Sequence, residues 1–325
     1  MLKRKIGQTN MTITPIGLGA MGMDHAYGGK KDRESMIQLL NQALDMGYQL
    51  FDTAPVYGGT NEALLGEAFK NRREEVKIVT KFGITGQEMV EGHPKNILNS
   101  QPNSLDEQLQ NSLTKLQTDY IDIYLQHRID PNVTPEEVAK KMKQFMEEGK
   151  IRAWGISWGT EDAPIDYLER AHKICPISVV ETQYSMVYRK PEKTIFDFCE
   201  KYGVSLLAYS PLGNGFLSGT LGSNESFSEN DFRRTMGRFS REVMKNNQDV
   251  LDEIQKIANQ KHATPAQITL AWEVYQKPFI IPIPGTTKLH RLKENMQSID
   301  IDLTQNDISN INQMLNSLKI DETHF

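Results

Sequence analysis

Short apolar runs alternate with amphipathic stretches along most of the chain. Strands that alternate with helices predict β–α–β units and a parallel sheet. Eight such units in about 300 residues favour a closed (β/α)8 barrel, the TIM barrel, over a doubly wound open sheet. The runs predict strands at 15–20, 48–52, 76–80, 120–125, 151–157, 177–182, 204–210 and 279–283. Helical spacing of apolar residues predicts helices near 33–46, 61–70, 104–116, 135–148, 164–173, 191–202, 249–260 and 288–297.

Additions to the barrel are also predicted. Residues 2–13 have the pattern of an N-terminal β-hairpin, which could close the bottom of a barrel. Thr264 and Pro265 are typical of a helix start, so an extra C-terminal helix is expected to run to about residue 276. The connections 83–103 and 211–246 are long, which is typical of functional or mobile segments. No linker interrupts residues 1–325, and one barrel domain is expected.

The segment GLGAMG, residues 17–22, fits the dinucleotide-binding pattern G-x-G-x-x-G. A Rossmann turn requires a helix that begins at the glycines, with its amide groups facing the pyrophosphate. Here the next helical pattern starts only around Asp32. Asp52 follows the last glycine by some thirty residues, where about twenty are expected. The context therefore favours a tight strand-to-helix turn over a Rossmann site.

Composition excludes several classes of function. The chain has 325 residues, a net charge of -5 and a pI near 5.9, so neither a nucleic-acid nor a membrane partner is expected. Cys175 and Cys199 lack metal-ligand spacing and suit a reducing compartment. The N-terminus has no apolar signal region, and no apolar stretch is long enough to span a membrane. We expect a cytoplasmic protein with no metal site.

Four polar residues stand at or just after the ends of predicted strands. Asp52 ends the second strand and Tyr57 follows it, Lys81 ends the third, and His127 ends the fourth. The C-terminal ends of barrel strands converge on one rim, where active sites form. Each residue alone has an ordinary structural explanation, such as a cap or a packed loop aromatic. Their convergence on one rim favours a catalytic group.

At these positions the chain resembles the aldo-keto reductases, in particular the bacterial and plant members similar to perakine reductase. The resemblance runs from about residue 5 to about residue 300. It is carried by FDTAPVYG (51–58), TKFG (80–83), QHR (126–128), AYSPLGNGFLSG (208–219), FRRTMGRF (232–239) and IPGTTKLHRLKEN (283–295). It implies the same barrel, with NADP(H) lying across the rim and no Rossmann module.

The resemblance implies reduction of an aldehyde or ketone by hydride transfer. Tyr57 would donate a proton to the carbonyl oxygen, and Lys81 would lower the pKa of its phenol. Asp52 would hold Lys81 in place, and His127 would orient the carbonyl oxygen. Trp158 stands where many relatives have Asn. The matching cofactor positions are Gly19, Met21, Ser157, Gln183, Tyr209, Ser210, Leu212, Gly213, Arg238, Gly285, Thr287, Lys288, Arg291, Glu294 and Asn295.

Two further expectations concern the cofactor. Residues 211–246 should be mobile without it and fold over its pyrophosphate, with Arg238 near a phosphate. The segment GTTKLHR (285–291) offers hydroxyl groups and cations at a predicted helix start, which favours NADPH over NADH through Lys288.

Alternative functions remain open at this point. One is a regulatory or redox-sensing NADP(H)-binding protein on the same fold, like the potassium-channel β subunits. Another is a metal-dependent hydrolase on the same barrel, for which only Asp52 and His127 are suitable ligands. The substrate is expected to be a small carbonyl compound whose identity depends on the loops 23–31, 83–103 and 211–246. The sequence does not predict an oligomeric state.

Overall fold

Eight parallel strands form the central sheet in a computed structural model that describes residues 2–29, 31–90, 93–159, 162–221 and 227–323. Each strand overlaps one of the predicted runs, and neighbours in the sheet follow one another along the chain. In this order the strands are β3 (Leu18–Gly19), β4 (Leu50–Asp52), β5 (Lys77–Phe82), β8 (Ile121–Gln126), β9 (Ile151–Ser157), β10 (Val179–Gln183), β11 (Ser205–Tyr209) and β12 (Ile280–Pro282).

The sheet closes on itself where β3 meets the segment that follows β12. The Gly17 amide donates to Pro282 O (3.0 Å), and Gly19 pairs in parallel with Gly285. A Cβ atom on Gly285 would lie 3.1 Å from Gly19 O, so the two backbones approach closely because neither residue has a side chain. The closed (β/α)8 barrel is therefore confirmed. Gly17 and Gly19 of GLGAMG take part in its closure.

Helices surround the barrel and bury an apolar face against it. The helices α1 to α5 are Arg33–Asp45, Asn61–Phe69, Pro102–Leu116, Pro135–Glu147 and Ile165–Ile174. The helices α6 to α12 are Pro191–Thr194, Phe196–Tyr202, Arg241–Asn246, Gln248–Lys261, Pro265–Gln276, Leu289–Gln297 and Gln305–Ser317. Thr134, Thr264 and Thr304 each begin a helix with a capping box, which fixes the entry of the chain.

One helical prediction needs correction, and two helices had no individual prediction. The predicted helix 191–202 is interrupted at Ile195, whose ψ of -17° and φ of -122° separate α6 from α7. The helices α8 and α12 had no individual prediction, although further C-terminal helices were expected. After Gly19 a single 3-10 turn forms at Met21–Met23, and α1 begins only at Arg33, so the geometry of a Rossmann turn is not present there.

The N-terminal hairpin closes the bottom of the barrel, as predicted. Its strands β1 (Arg4–Lys5) and β2 (Thr12–Ile13) pair in antiparallel fashion. Ile6, Met11 and Ile13 are buried in the core inside the barrel, together with inward-facing residues of the parallel strands. No helix among the described residues is long and apolar enough to cross a bilayer.

The connection 83–103 has more structure than its sequence suggested. It forms an antiparallel hairpin of β6 (Ile84–Val90) and β7 (His93–Leu98), with a register shift between Ile84 and Gly86. The hairpin leaves the barrel directly after β5 and therefore starts at the same rim as Lys81. The glycines and the proline of this segment are typical of loops. For that reason its alternating strand pattern was not recognised from the sequence.

Candidate active site

A cleft of about 990 Å³ opens at the C-terminal ends of the parallel strands. Asp52, Tyr57 and His127 line one part of it, and Lys81 lies behind Asp52. The four residues predicted at the ends of three different strands therefore meet at one rim. Most of the predicted cofactor positions also line this cleft, namely Gly19, Met21, Ser157, Tyr209, Ser210, Leu212, Gly285, Thr287, Lys288, Arg291, Glu294 and Asn295.

Lys81 is the centre of a buried ionic cluster. Its side chain is fully buried, and its Nζ donates to Asp52 Oδ2 at 2.6 Å and to Thr53 O at 3.0 Å. The Nζ also lies 3.5 Å from Glu181 Oε1 and 5.3 Å from the centroid of the Tyr57 ring. The two carboxylates raise the pKa of Lys81 well above its usual value against the opposing effect of burial, which keeps the ammonium charged.

Glu181 belongs to this cluster and was missed by the sequence analysis. It lies on β10, is 3% exposed, and lines the cleft beside Ser157, whose Oγ is 3.4 Å from Glu181 Oε1. The other oxygen, Oε2, is buried without a hydrogen-bond partner among the described residues. A signal was present, because an acidic residue inside the apolar run ISVVETQ is unusual.

Asp52 has an unusual protonation equilibrium. Burial and the negative charge of Glu181 raise the pKa of its carboxyl well above the usual value, although Lys81 acts in the opposite direction. The carboxyl of Asp52 therefore binds a proton more tightly than it would in an exposed Asp–Lys pair.

Tyr57 lies in the turn after β4, between two imidazole rings. The His127 ring is edge-on at 6.0 Å between centroids, and the His25 ring is stacked at 6.3 Å. Burial raises the pKa of Tyr57 to about 12 and outweighs the lowering effect of Lys81. Lys81 therefore acts in the expected direction, but the effect of desolvation is larger, and the sequence does not reveal it. The phenol is protonated at neutral pH.

Gly58 sets the position of Tyr57. Its φ of +60° is in the left-handed region, and a Cβ atom there would lie 2.9 Å from Asp24 O. A glycine is therefore required directly after Tyr57 if the turn is to pack against the loop that follows β3.

His127 is neutral at physiological pH. Burial lowers the pKa of its imidazole well below the usual value, and the positive charges of Lys81 and Arg128 act in the same direction. Arg128 lines the cleft next to it and donates from Nη1 to His127 O at 2.6 Å. A neutral imidazole retains one N–H group, which can donate a hydrogen bond to an oxygen in the cleft.

Three predicted cofactor residues do not line the cleft. Gln183 is fully buried, and neither atom of its amide has a hydrogen-bond partner among the described residues. Glu181, two residues earlier on the same face of β10, lines the cleft instead. Gly213 and Arg238 lie behind Asn214, a cleft residue whose Oδ1 accepts from Arg238 Nη1 at 3.1 Å. Trp158 is also buried, in the core beneath the helices.

Arg238 is an unusual buried cation. It is 2% exposed, and its Nη2 has no hydrogen-bond partner among the described residues. Burial lowers the pKa of its guanidinium to about 10. Its position behind Asn214 is compatible with long-range attraction of an anion in the cleft, whereas direct contact would require Asn214 to move.

Two loops meet across the cleft. The Phe232 amide donates to Ala26 O at 2.9 Å, and Tyr27 forms a β-bridge with Asp231. Asn214 Nδ2 donates to the Tyr27 hydroxyl at 3.0 Å. The segment after β11 therefore crosses to the loop after β3. We call these contacts the strap.

The far end of the cleft is the start of α11. Lys288 is the N-cap residue of this helix, and its amide donates to Thr286 Oγ1 at 3.1 Å. Lys288 and Arg291 both line the cleft there. Helix N-termini and cations together favour an anionic group.

Comparisons with known proteins agree with this arrangement. A "Probable aldo-keto reductase 1" of Glycine max is 35% identical over 94% of this chain and 87% of its own. The glycerol dehydrogenase AKR11B4 of Gluconobacter oxydans is similar in structure, with a TM-score of 0.87 and 23% identity over 98% of this chain and 96% of its own. An aldo-keto reductase of Klebsiella pneumoniae, solved with NADPH, has a TM-score of 0.74 and 22% identity over 100% and 99% of the two chains.

Those two structures support the fold alone. The plant relative and the family match also show the family to which the chain belongs. The Aldo/keto reductase family matches residues 15–316, which include the barrel strands, the four convergent side chains and the start of α11. The chain belongs to the aldo/keto reductase family.

Proposed function

We propose that this protein reduces an aldehyde or ketone to the alcohol, with NADPH as the hydride source and Tyr57 as the proton donor. The observation that carries the proposal is the buried cluster of Lys81 and Asp52 beside Tyr57 and His127, at the wall of one large cleft. When bound, the nicotinamide supplies the hydride, which the side chains of this protein cannot supply.

The polar groups of the cleft fit such a cofactor. Ser157 and Glu181 can bind the carboxamide, and Tyr209 can stack on the nicotinamide ring. Ser210 and Asn214 have left-handed backbones, with φ of 52° and 58°, which turn the chain tightly beside the expected pyrophosphate. The buried and partly unpartnered Arg238 supports an anion nearby. The membership in the aldo/keto reductase family supports the same choice.

Each side chain of the group has a chemical task. Tyr57 holds a proton at neutral pH and donates it to the carbonyl oxygen as negative charge develops there. Lys81 offsets the charge that remains on the phenolate. Asp52 and Glu181 keep Lys81 charged and in position. His127, being neutral, donates a hydrogen bond to the same carbonyl oxygen and orients it.

A turnover assay tests the proposal. Oxidation of NADPH is followed with a panel of aldehydes and ketones, for the wild-type protein and for Tyr57→Phe. The variant lacks the proton donor, so kcat should fall about 10²- to 10⁴-fold while NADPH binding persists. Near-normal turnover by Tyr57→Phe would contradict the role of Tyr57. Tight NADPH binding without turnover of any carbonyl would instead favour the redox-sensing alternative.

A further inference from the structure

Arg128 is a cleft cation for which the proposed reaction has no use. It follows His127 at the end of β8, and it lines the cleft with Tyr57 and His127. Its charge acts on both residues, since it lowers the pKa of the Tyr57 phenol and of the His127 imidazole. Arg128 therefore shares the cleft with the two residues that would bind a carbonyl oxygen.

No carboxylate of the described chain pairs with Arg128. Among the described residues, its guanidinium donates a hydrogen bond to the neighbouring carbonyl, His127 O, at 2.6 Å. The nearest acidic residue along the chain, Asp130, is occupied by other donors, because its oxygens accept from the amides of Ser100 and Asn132 at 2.9 Å each. Within the described part of the chain, the positive charge of Arg128 therefore has no ion-pair partner, in a protein whose net charge is -5.

The other cations of the cleft are placed differently. Arg233 forms an ion pair with Asp231 at 2.6 Å, and Lys31 donates to Tyr27 O at 3.1 Å in the strap. Lys288 and Arg291 lie at the start of α11. Arg128 is therefore the arginine whose charge is available to a substrate at Tyr57.

We infer that Arg128 selects carbonyl substrates that bear a carboxylate. The inference rests on the proposed function and names the substrate class of the same site. A guanidinium has donors in a planar fork that matches a carboxylate, and a partly desolvated site strengthens the charge-assisted bonds. Arg128 binds the carboxylate while His127 and Tyr57 hold the carbonyl oxygen.

The test compares carboxybenzaldehydes with nitrobenzaldehydes. A nitro group has nearly the shape of a carboxylate but no net charge, and the 2-, 3- and 4-isomers sample different distances from the carbonyl. We measure kcat/KM for each pair in the wild-type protein, Arg128→Gln and Arg128→Lys. Arg234→Gln removes the same charge from an exposed position outside the cleft and is the control.

For at least one isomer, the ratio of carboxy- to nitrobenzaldehyde kcat/KM should fall about 10- to 100-fold in Arg128→Gln, the range of one lost charge-assisted bond. It should fall less in Arg128→Lys and stay unchanged in Arg234→Gln. Binding of the corresponding benzyl alcohols, measured by calorimetry, should show the same loss and requires no turnover. Unchanged ratios at all three isomers with active enzyme would overturn the inference. No turnover of either series by the wild-type protein would overturn the proposed function instead.

Discussion

Replacement of Lys81 by methionine tests the energetics of the buried cluster without reference to any substrate. The side chain of Lys81 is fully buried, with carboxylate oxygens of Asp52 and Glu181 at 2.6 and 3.5 Å from Nζ. Lys81→Met leaves both acids without their cation. Removing one partner of a buried ion pair costs about 3–5 kcal/mol of the free energy of unfolding, and we expect that loss at pH 8.

The loss should depend on pH with a definite sign. The pKa of Asp52 is already raised by burial and by Glu181, and Lys81 is the group that lowers it. Without Lys81 the folded variant binds protons more tightly than the unfolded chain does. The stabilisation that this proton binding gives is therefore present at low pH. It is lost as pH rises through the pKa of Asp52 in the folded variant. The difference in the free energy of unfolding between wild-type protein and variant should therefore shrink as pH falls. The change should be about 1.4 kcal/mol per pH unit for each extra proton that the folded variant binds.

Urea denaturation at pH 5, 6.5 and 8 measures this dependence. Lys81→Met/Glu181→Gln removes one of the two unpaired acids, so at pH 8 it should be more stable than Lys81→Met alone. Lys77→Met, at the other end of β5, is the matched control and should change the free energy of unfolding by less than about 0.5 kcal/mol. An equal deficit at all three pH values, or no gain in the double variant, would refute the electrostatic reasoning.

Two further predictions concern the two ends of the cleft. Lys288→Ala should weaken NADPH binding about 10- to 100-fold in a fluorescence titration and leave NADH binding nearly unchanged, because the lost bond is to the 2′-phosphate; equal losses would exclude that role. Asn214→Gly removes the hydrogen bonds to Tyr27 and Arg238 without straining a backbone at φ 58°, so amide exchange across 227–236 should become faster. Unaltered exchange would mean that Asn214 does not hold the strap.

The sequence was sufficient to predict the barrel and the convergence of four side chains. Both rest on periodicity and on a rule about strand ends, which depend only on the order of residues along the chain. The same rule does not say which residue near the end of a strand lines the cleft. Gln183 and Glu181 share a face of β10, and the earlier one lines the cleft.

What could not be predicted depends on burial. The sequence places a cation beside Tyr57 but does not reveal how far the phenol is desolvated, and here desolvation is the larger effect on its pKa. The sequence also does not reveal that Arg238 is buried behind Asn214, and its expected position near a phosphate stays a prediction. The sequence did not predict the β6–β7 hairpin because its glycines and its proline are typical of irregular loops.

The closure of the barrel at Gly17, Gly19 and Gly285 has a consequence for folding during synthesis. Its hydrogen bonds join Gly17 and Gly19 to Pro282, Pro284 and Gly285, from opposite ends of the chain. While the ribosome still holds the last strand, β3 is an unpaired sheet edge, and such edges invite association with other chains. Ring closure therefore has to wait for the last β–α unit, and until then the edge of β3 is open to association with other chains.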